Sequence, residues 1–267
     1  MAERAFDVKR QTGFTTIAVA CFIMLYMPII LLVVYSFNAG ASIAIWEGFS
    51  WRWYVSAWEN EQVQEATVRS LVIALWASGI STTVAVLAAL ATTRTRKFKG
   101  QTAVFAMINQ PLMVPEIVTA VALLIFFAMI KVATGYTGLA YLIIAHSAFC
   151  IPFAYLPIRA RLQGMDLSLE HAAADLYAPP FQVFRKVTLP QLWPGILAGA
   201  MLAFVISLDD VVITEFVKSA GQDTLPTYML GQLRRVVTPE INAISTALLG
   251  ISIVMVIAFT LLSKFKN

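Results

Sequence analysis

The chain has 267 residues, 59% of them hydrophobic and 13% charged, with a mean hydropathy of +0.77. A soluble domain is about 45–50% apolar, so this composition excludes one and puts most of the chain in a bilayer. The net charge of +4 does not mark a nucleic-acid binder, because the 19 Lys and Arg residues sort by membrane side rather than into a patch.

Crossing a bilayer takes about 20 apolar residues. Six spans are predicted, at 14–37, 70–92, 103–130, 137–158, 195–217 and 243–263, which gives an all-α membrane protein organised as a single transmembrane domain over 1–267. The first span follows Arg4, Lys9 and Arg10 like the start of a signal peptide. It is longer than an h-region of about 7–15 residues and is expected to be retained, with cleavage near Ala39-Gly40-Ala41 as the alternative. Cys21 and Cys150 lie inside apolar spans without a CxxC pair, so no metal site is expected and the cysteines do not report a redox compartment.

Residues 38–69 form the longest external connection, with Trp46, Trp51, Trp53, Tyr54 and Trp58 among Glu47, Glu59, Glu61 and Glu65. Such aromatics populate the interfacial belt; the alternative makes Trp46 and its neighbours a docking surface for a cation, which indole faces attract. Prolines at 28, 111, 115, 152 and 157 favour kinks. Pro111 and Pro115, directly before Glu116, point further, to irregular backbone lining a cavity. His146, beside Ser147 in the fourth span, is expected to be a hydrogen-bonded bundle residue. The second external connection, 218–242, carries the apolar run Tyr228-Met229-Leu230, which suits a loop dipping back against the bundle.

Orientation follows from charge. With the N-terminus cytoplasmic, Arg4, Lys9, Arg10, Arg94, Arg96, Lys97, Lys99, Arg159, Arg161, Arg185, Lys186, Lys264 and Lys266 fall inside, and only Arg52, Arg69, Lys131, Lys218, Arg234 and Arg235 outside. The positive-inside rule then places both termini and the loop at 159–194 in the cytoplasm.

In that loop Leu169, Ala172, Ala173 and Leu176 fall at i, i+3, i+4 and i+7, so 169–178 is expected to be a short amphipathic helix needing a surface to dock on. Pro180 suits the first turn of a second short helix, lined by Phe181, Phe184 and Val187 and ended by Leu189-Pro190. The stretch 166–190 resembles the cytoplasmic EAA loop of ABC importer permeases. That family reads Glu-Ala-Ala, three residues, Gly, nine residues, an aliphatic residue, one more, then Leu-Pro. His171, Ala172, Ala173, Tyr177, Val187, Leu189 and Pro190 fill those places here. His171 replaces the Glu, although Glu170 precedes it, and Tyr177 replaces the Gly that permits a tight turn. The resemblance implies that Glu170, His171, Ala172, Ala173, Asp175, Tyr177, Leu189 and Pro190 couple to an ATPase subunit.

Three acidic residues lie deep in the spans: Glu116 at the middle of the third, and Asp209 and Asp210 slightly outward of the middle of the fifth. A central Asp costs about 2.5–3.5 kcal/mol. No Lys or Arg occupies the central part of any span, so the balancing charge must come from a partner subunit, a proton or a cationic substrate such as a polyamine. Ser207, Asp210 and Thr214 follow i, i+3, i+7 and share a face, with Asp209 turned about 100° away. The alternative is a buried Asp pair bonded to helix ends or to a partner.

With Ser207-Leu208-Asp209-Asp210-Val211-Val212 and Pro239-Glu240-Ile241-Asn242-Ala243 joined to Pro115-Glu116-Ile117-Val118, the resemblance narrows to spermidine/putrescine permeases of the PotC/PotI kind and covers essentially the whole chain. It implies a type I ABC importer permease fold (MetI-like) with six transmembrane helices in the bacterial inner membrane. It also implies a second permease subunit, two ABC ATPase subunits and a periplasmic polyamine-binding protein, and substrate contacts from Glu116, Asp209, Asp210, Ser207 and Trp46. The chain has no GxxxxGK[ST] motif, so no cofactor and no catalytic residue is expected in it, ATP and Mg being bound by the partner ATPases. A type I ABC permease for another organic cation is the near alternative, and two other classes remain. A proton-coupled secondary transporter would use the carboxylates as relays but leaves the EAA-like loop unexplained. An intramembrane hydrolase would use Ser147 with His146, a pair disfavoured because adjacent helical residues diverge by about 100°, or paired carboxylates on facing helices, as Glu116 and Asp210 could be.

Overall fold

The computed structural model describes residues 13–43, 45–95, 98–235 and 238–264. Arg4, Lys9, Arg10, Arg96, Lys97 and Lys266 of the orientation argument lie outside the described residues. The described residues form two compact units, one taking those up to Asn60 together with Gln232–Gly250, the other Glu61–Gly231 and those from Ile251. Six helical segments are long and apolar enough to cross a membrane, one for each predicted span.

In the first unit, α1 (Phe14–Tyr35) buries none of its residues and runs through Pro28. Beyond it Asn38 organises the turn that follows. Its side-chain amide donates to the carbonyls of Ser42 and Ile45, and its oxygen accepts from the N–H groups of Gly40 and Glu47. Phe37, Phe49, Trp51 and Tyr54 pack ring against ring. The connection also contains an unforeseen helix, α2 (Arg52–Glu59), which buries Trp53 and directs its indole N–H at the Gly40 carbonyl, 3.2 Å away. Asn60 donates to Glu240 at the start of α12 (Pro239–Lys264), a helix whose residues pass from this unit into the other.

The second unit is built on α3 (Glu61–Thr93), α6 (Ala140–Gln163) and α9 (Leu189–Asp209), which pack on one another. The buried stripe of α3 is made of small residues, among them Ala74, Ala77, Ser78, Ser81, Ala85 and Ala89. Where α6 and α9 cross, a Cβ at Gly199 would stand 2.6 Å from the Ala154 carbonyl oxygen and one at Gly195 2.7 Å from the Arg161 Cβ. Lipid tails give helices no hydrophobic reason to associate, so close approach of this kind supplies the attraction. Polar contacts add to it: Ser78 donates to the Ala200 carbonyl at 2.6 Å and the Cys150 thiol to that of Ala203. α6 stays helical through Pro152 and Pro157.

Three expectations are corrected. The third span is two helices, α4 (Gln101–Met113) and α5 (Glu116–Thr134), because Pro115 drives Val114 into extended backbone (φ −102°, ψ 139°). Glu116 therefore opens a helix rather than sitting at mid-span. The fifth span breaks too: α9 ends at Asp209, Asp210 is extended (φ −65°, ψ 131°), and α10 (Val212–Val217) follows. Finally, Leu189-Pro190 does not end a helix. The short α8 (Pro180–Val183) runs through a π-turn, Phe184–Thr188, straight into α9, the Leu189 N–H donating back to the Phe184 carbonyl; the wider turn directly before Pro190 carries the chain past a residue that cannot donate. The second external connection does turn back on the bundle, as α11 (Leu225–Leu233), with the Leu225 N–H donating to Ser70 of α3.

Candidate functional site

The two helix breaks meet. Glu116, half-buried in the first turn of α5, lies beside Asp210 between α9 and α10, and α5 packs directly on α10. Two carboxylates side by side without a balancing charge make a place where a cation can sit.

Asp210 is buried and acts as the cap of α10. Its Oδ1 accepts from the Ile213 N–H at 3.3 Å; its Oδ2 accepts from the Thr214 N–H and the Thr214 hydroxyl, each at 2.9 Å. An Asp in extended backbone ahead of a helix uses its carboxylate in this way to satisfy orphan amides of the first turn. From α6, His146 reaches across the break, with Nδ1 2.8 Å from the Ser207 Oγ, Nε2 2.9 Å from the Thr214 Oγ1 and Nε2 3.4 Å from the Asp210 Oδ2.

Ser207, Asp210 and Thr214 thus do share a surface, with His146 and Glu116 completing it. Asp209 is exposed on another side of the helix end. Trp46 belongs to the first unit, where it is exposed and stands edge-on to Tyr35. Among the described residues, no Lys or Arg pairs with Glu116, Asp209 or Asp210; Glu215 is paired, by Lys218 at 2.6 Å.

The EAA-like loop has its own geometry. α7 (Ser168–Asp175) starts at Asp166, whose carboxylate accepts from both the N–H and the hydroxyl of Ser168 and is held below the usual carboxylate range by them. Glu170 turns inward: Arg94 at the end of α3 reaches its Oε1 at 3.2 Å and Thr188 of the π-turn at 3.0 Å. His171, Ala172 and Asp175 are exposed and Ala173 half-buried. The helix closes with a Schellman arrangement, Ala178 N–H to Ala173 carbonyl and Tyr177 N–H to Ala174 carbonyl. Tyr177 occupies its left-handed position at φ 59°, the only non-glycine among the described residues with positive φ, and is 96% exposed. The turn that a Gly would make at this place is made here by a strained tyrosine. Leu189 and Pro190 lie in the first turn of α9, half-buried and exposed respectively.

Residues 81–265 match the family described as "Binding-protein-dependent transport system inner membrane component". The chain belongs to that family. This permease is 38% identical over 264 residues to the putrescine transport system permease protein PotI of Escherichia coli (strain K12), covering 97% of this chain and 94% of the relative. It is 37% identical over 255 residues to the spermidine/putrescine transport system permease protein PotC of the same strain, covering 96% and 94%. Among solved structures, a bacterial ABC transporter involved in the import of the acidic polysaccharide alginate aligns with TM-score 0.71 at 18% identity, covering 92% of each chain. The MetNI methionine ABC transporter aligns with TM-score 0.64 at 18% identity, covering 78% of this chain and 99% of that one. The fold is that of a type I ABC importer permease, and the chain is a multi-pass membrane transport subunit rather than an enzyme.

The sequence passed over the partners of His146 and the Arg94–Glu170–Thr188 knot. For the first there was a signal, since Ser207 and Thr214 are hydroxyls on the neighbouring fifth span. Arg94 carried none beyond its place in a basic stretch after the second span.

Proposed function

We propose that this permease forms half of the translocation pathway of an ATP-driven polyamine importer, with putrescine or spermidine as its cargo. The observation that carries the reading is the contact of Glu116 with Asp210 at two helix breaks, without a resident Lys or Arg. An ammonium group balances the pair, and a flexible diamine places its second ammonium on Asp209. The names of the relatives support the same cargo. The second permease subunit completes the pathway as a heterodimer partner, a periplasmic binding protein delivers the amine, and two ATPase subunits bind ATP and Mg. Both termini lie in the cytoplasm.

In this reading α7 docks on an ATPase subunit through Leu169, Ala173 and Leu176, with His171, Asp175 and Tyr177 at its margin and Leu189-Pro190 linking it to α9. Glu170 holds α7 to α3 and the π-turn, so closure of the ATPases moves the cytoplasmic end of α9, whose other end is the Asp209-Asp210 break.

The test is uptake of radiolabelled putrescine by proteoliposomes holding the whole importer with binding protein and ATP, normalised to assembled complex. Glu116→Gln and Asp210→Asn should each lower uptake by about tenfold or more, since a charge-assisted contact contributes about 1.5–3 kcal/mol. Unchanged uptake in both assembled variants rules the site out.

A further inference from the structure

From the hydrogen-bond valences around His146 we infer that this side chain is a positioning residue, the fixed post that aims the Asp210 carboxylate at the amine. This rests on the polyamine reading above. Thr214 has a single hydroxyl proton, and its Oγ1 donates it to the Asp210 Oδ2 at 2.9 Å. Oγ1 must then accept from His146, which fixes the imidazole as the Nε2–H tautomer. Nδ1 is left as an acceptor, and the Ser207 hydroxyl fills it at 2.8 Å. The polar hydrogens form one directed chain, Ser207 to His146 to Thr214 to Asp210, every donor pointing toward the carboxylate.

The placement gives the chain its purpose. His146 is 1% exposed on α6, the span with the largest buried share, whereas Ser207 and Thr214 stand on opposite sides of the α9–α10 break. An extended residue between two helices has backbone freedom that its own cap does not remove. One imidazole bonded on both sides of the gap sets the angle between α9 and α10, and with it the direction of the carboxylate that meets Glu116. His146 itself need not touch the amine, since both its nitrogens are engaged and its ring is enclosed.

The experiment is equilibrium binding of radiolabelled putrescine to the purified, detergent-solubilised complex of permeases and ATPases, without binding protein, together with the unfolding midpoint of the same samples. His146→Ala should raise the Kd by about tenfold, His146→Gln, which keeps a donor and an acceptor, by about threefold or less, and Thr214→Val, which cuts the chain next to Asp210, by about tenfold. A purely structural role predicts lower midpoints with the Kd per folded complex unchanged, and that pattern overturns the inference. If His146→Ala does not assemble, His146→Gln and Thr214→Val decide: a tight Thr214→Val variant overturns it. Glu116→Gln is the separating control. If it also binds normally, the polyamine site itself is wrong; if it binds weakly while the His146 and Thr214 variants bind tightly, only the positioning role is lost.

Discussion

Replacing Gly199 by Ala tests whether the α6–α9 contact sets the geometry of the site. The added Cβ would stand 2.6 Å from the Ala154 carbonyl oxygen, 3.2 Å from its Cα and 3.2 Å from the Ile158 Cδ1, where ordinary contact begins at 3.4 Å. The nearest obstacle is backbone, which cannot rotate away, so α9 must withdraw by about 0.8 Å. Overpacking of this kind costs about 1–3 kcal/mol, against which Ala regains up to about 1 kcal/mol of helix propensity; the net expectation is a loss of about 1–2 kcal/mol. Ser207 lies about 12 Å further along α9 at 1.5 Å rise per residue. A rigid shift of α9 would stretch its 2.8 Å bond to His146 beyond hydrogen-bonding range, so putrescine binding should weaken as well. The assay is unfolding of the isolated chain in mixed micelles, titrated with dodecyl sulfate and followed by tryptophan fluorescence. Gly79→Ala on α3, which meets nothing within 4 Å, is the matched control. Equal midpoints for the two variants, or a Gly199→Ala chain more stable than the parent, would refute the reasoning.

The remaining predictions concern the EAA-like loop. Tyr177→Gly should keep the left-handed turn and relieve about 1–2 kcal/mol of backbone strain, while Tyr177→Val should weaken the turn; amide exchange at residues 176–178 should be slowest for Gly and fastest for Val. Arg94→Gln should leave Glu170 with Thr188 as its only side-chain partner and loosen α7 by about 1–3 kcal/mol, read as faster proteolysis of 166–180 in the assembled importer. Ala173→Glu puts a charge on the apolar face of α7, and the putrescine transported per ATP hydrolysed should fall by about tenfold or more in reconstituted vesicles.

The six crossings were legible because length and hydropathy alone define them, and Pro115 announced the first break. The second break was hidden: Leu208-Asp209-Asp210-Val211 contains neither Gly nor Pro, so the apolar period reads straight through. What ends α9 there is a side chain, since Asp210 can cap the amides of Ile213 and Thr214 only by leaving helical backbone. An Asp three and four residues ahead of those amides is a start signal in any soluble helix, and it was masked here by the surrounding valines. Leu189-Pro190 misled for the opposite reason. A proline was read as a stop, whereas the π-turn directly before it lets the helix continue past the missing N–H. α2 escaped notice because eight residues with three aromatics look like an interfacial belt whether or not they coil. The inward turn of Glu170 needed tertiary placement, as Arg94 is distant in sequence.

The state of the Asp210 carboxylate bears on which cations the site suits. Its oxygens already accept from two backbone amides and a hydroxyl, with the His146 Nε2 3.4 Å away, and those donors are fixed by α6 and α10. A hard metal ion requires about six or more oxygen ligands drawn close around it, and oxygens surrounded by N–H and O–H donors cannot close that shell. An ammonium has only three hydrogens to direct and can take one acceptor from each of several places. On the polyamine reading, discrimination between an amine and a metal cation follows from how Asp210 is held, because three of its roughly four acceptor positions are filled and the one left suits a single N–H rather than a metal's coordination shell.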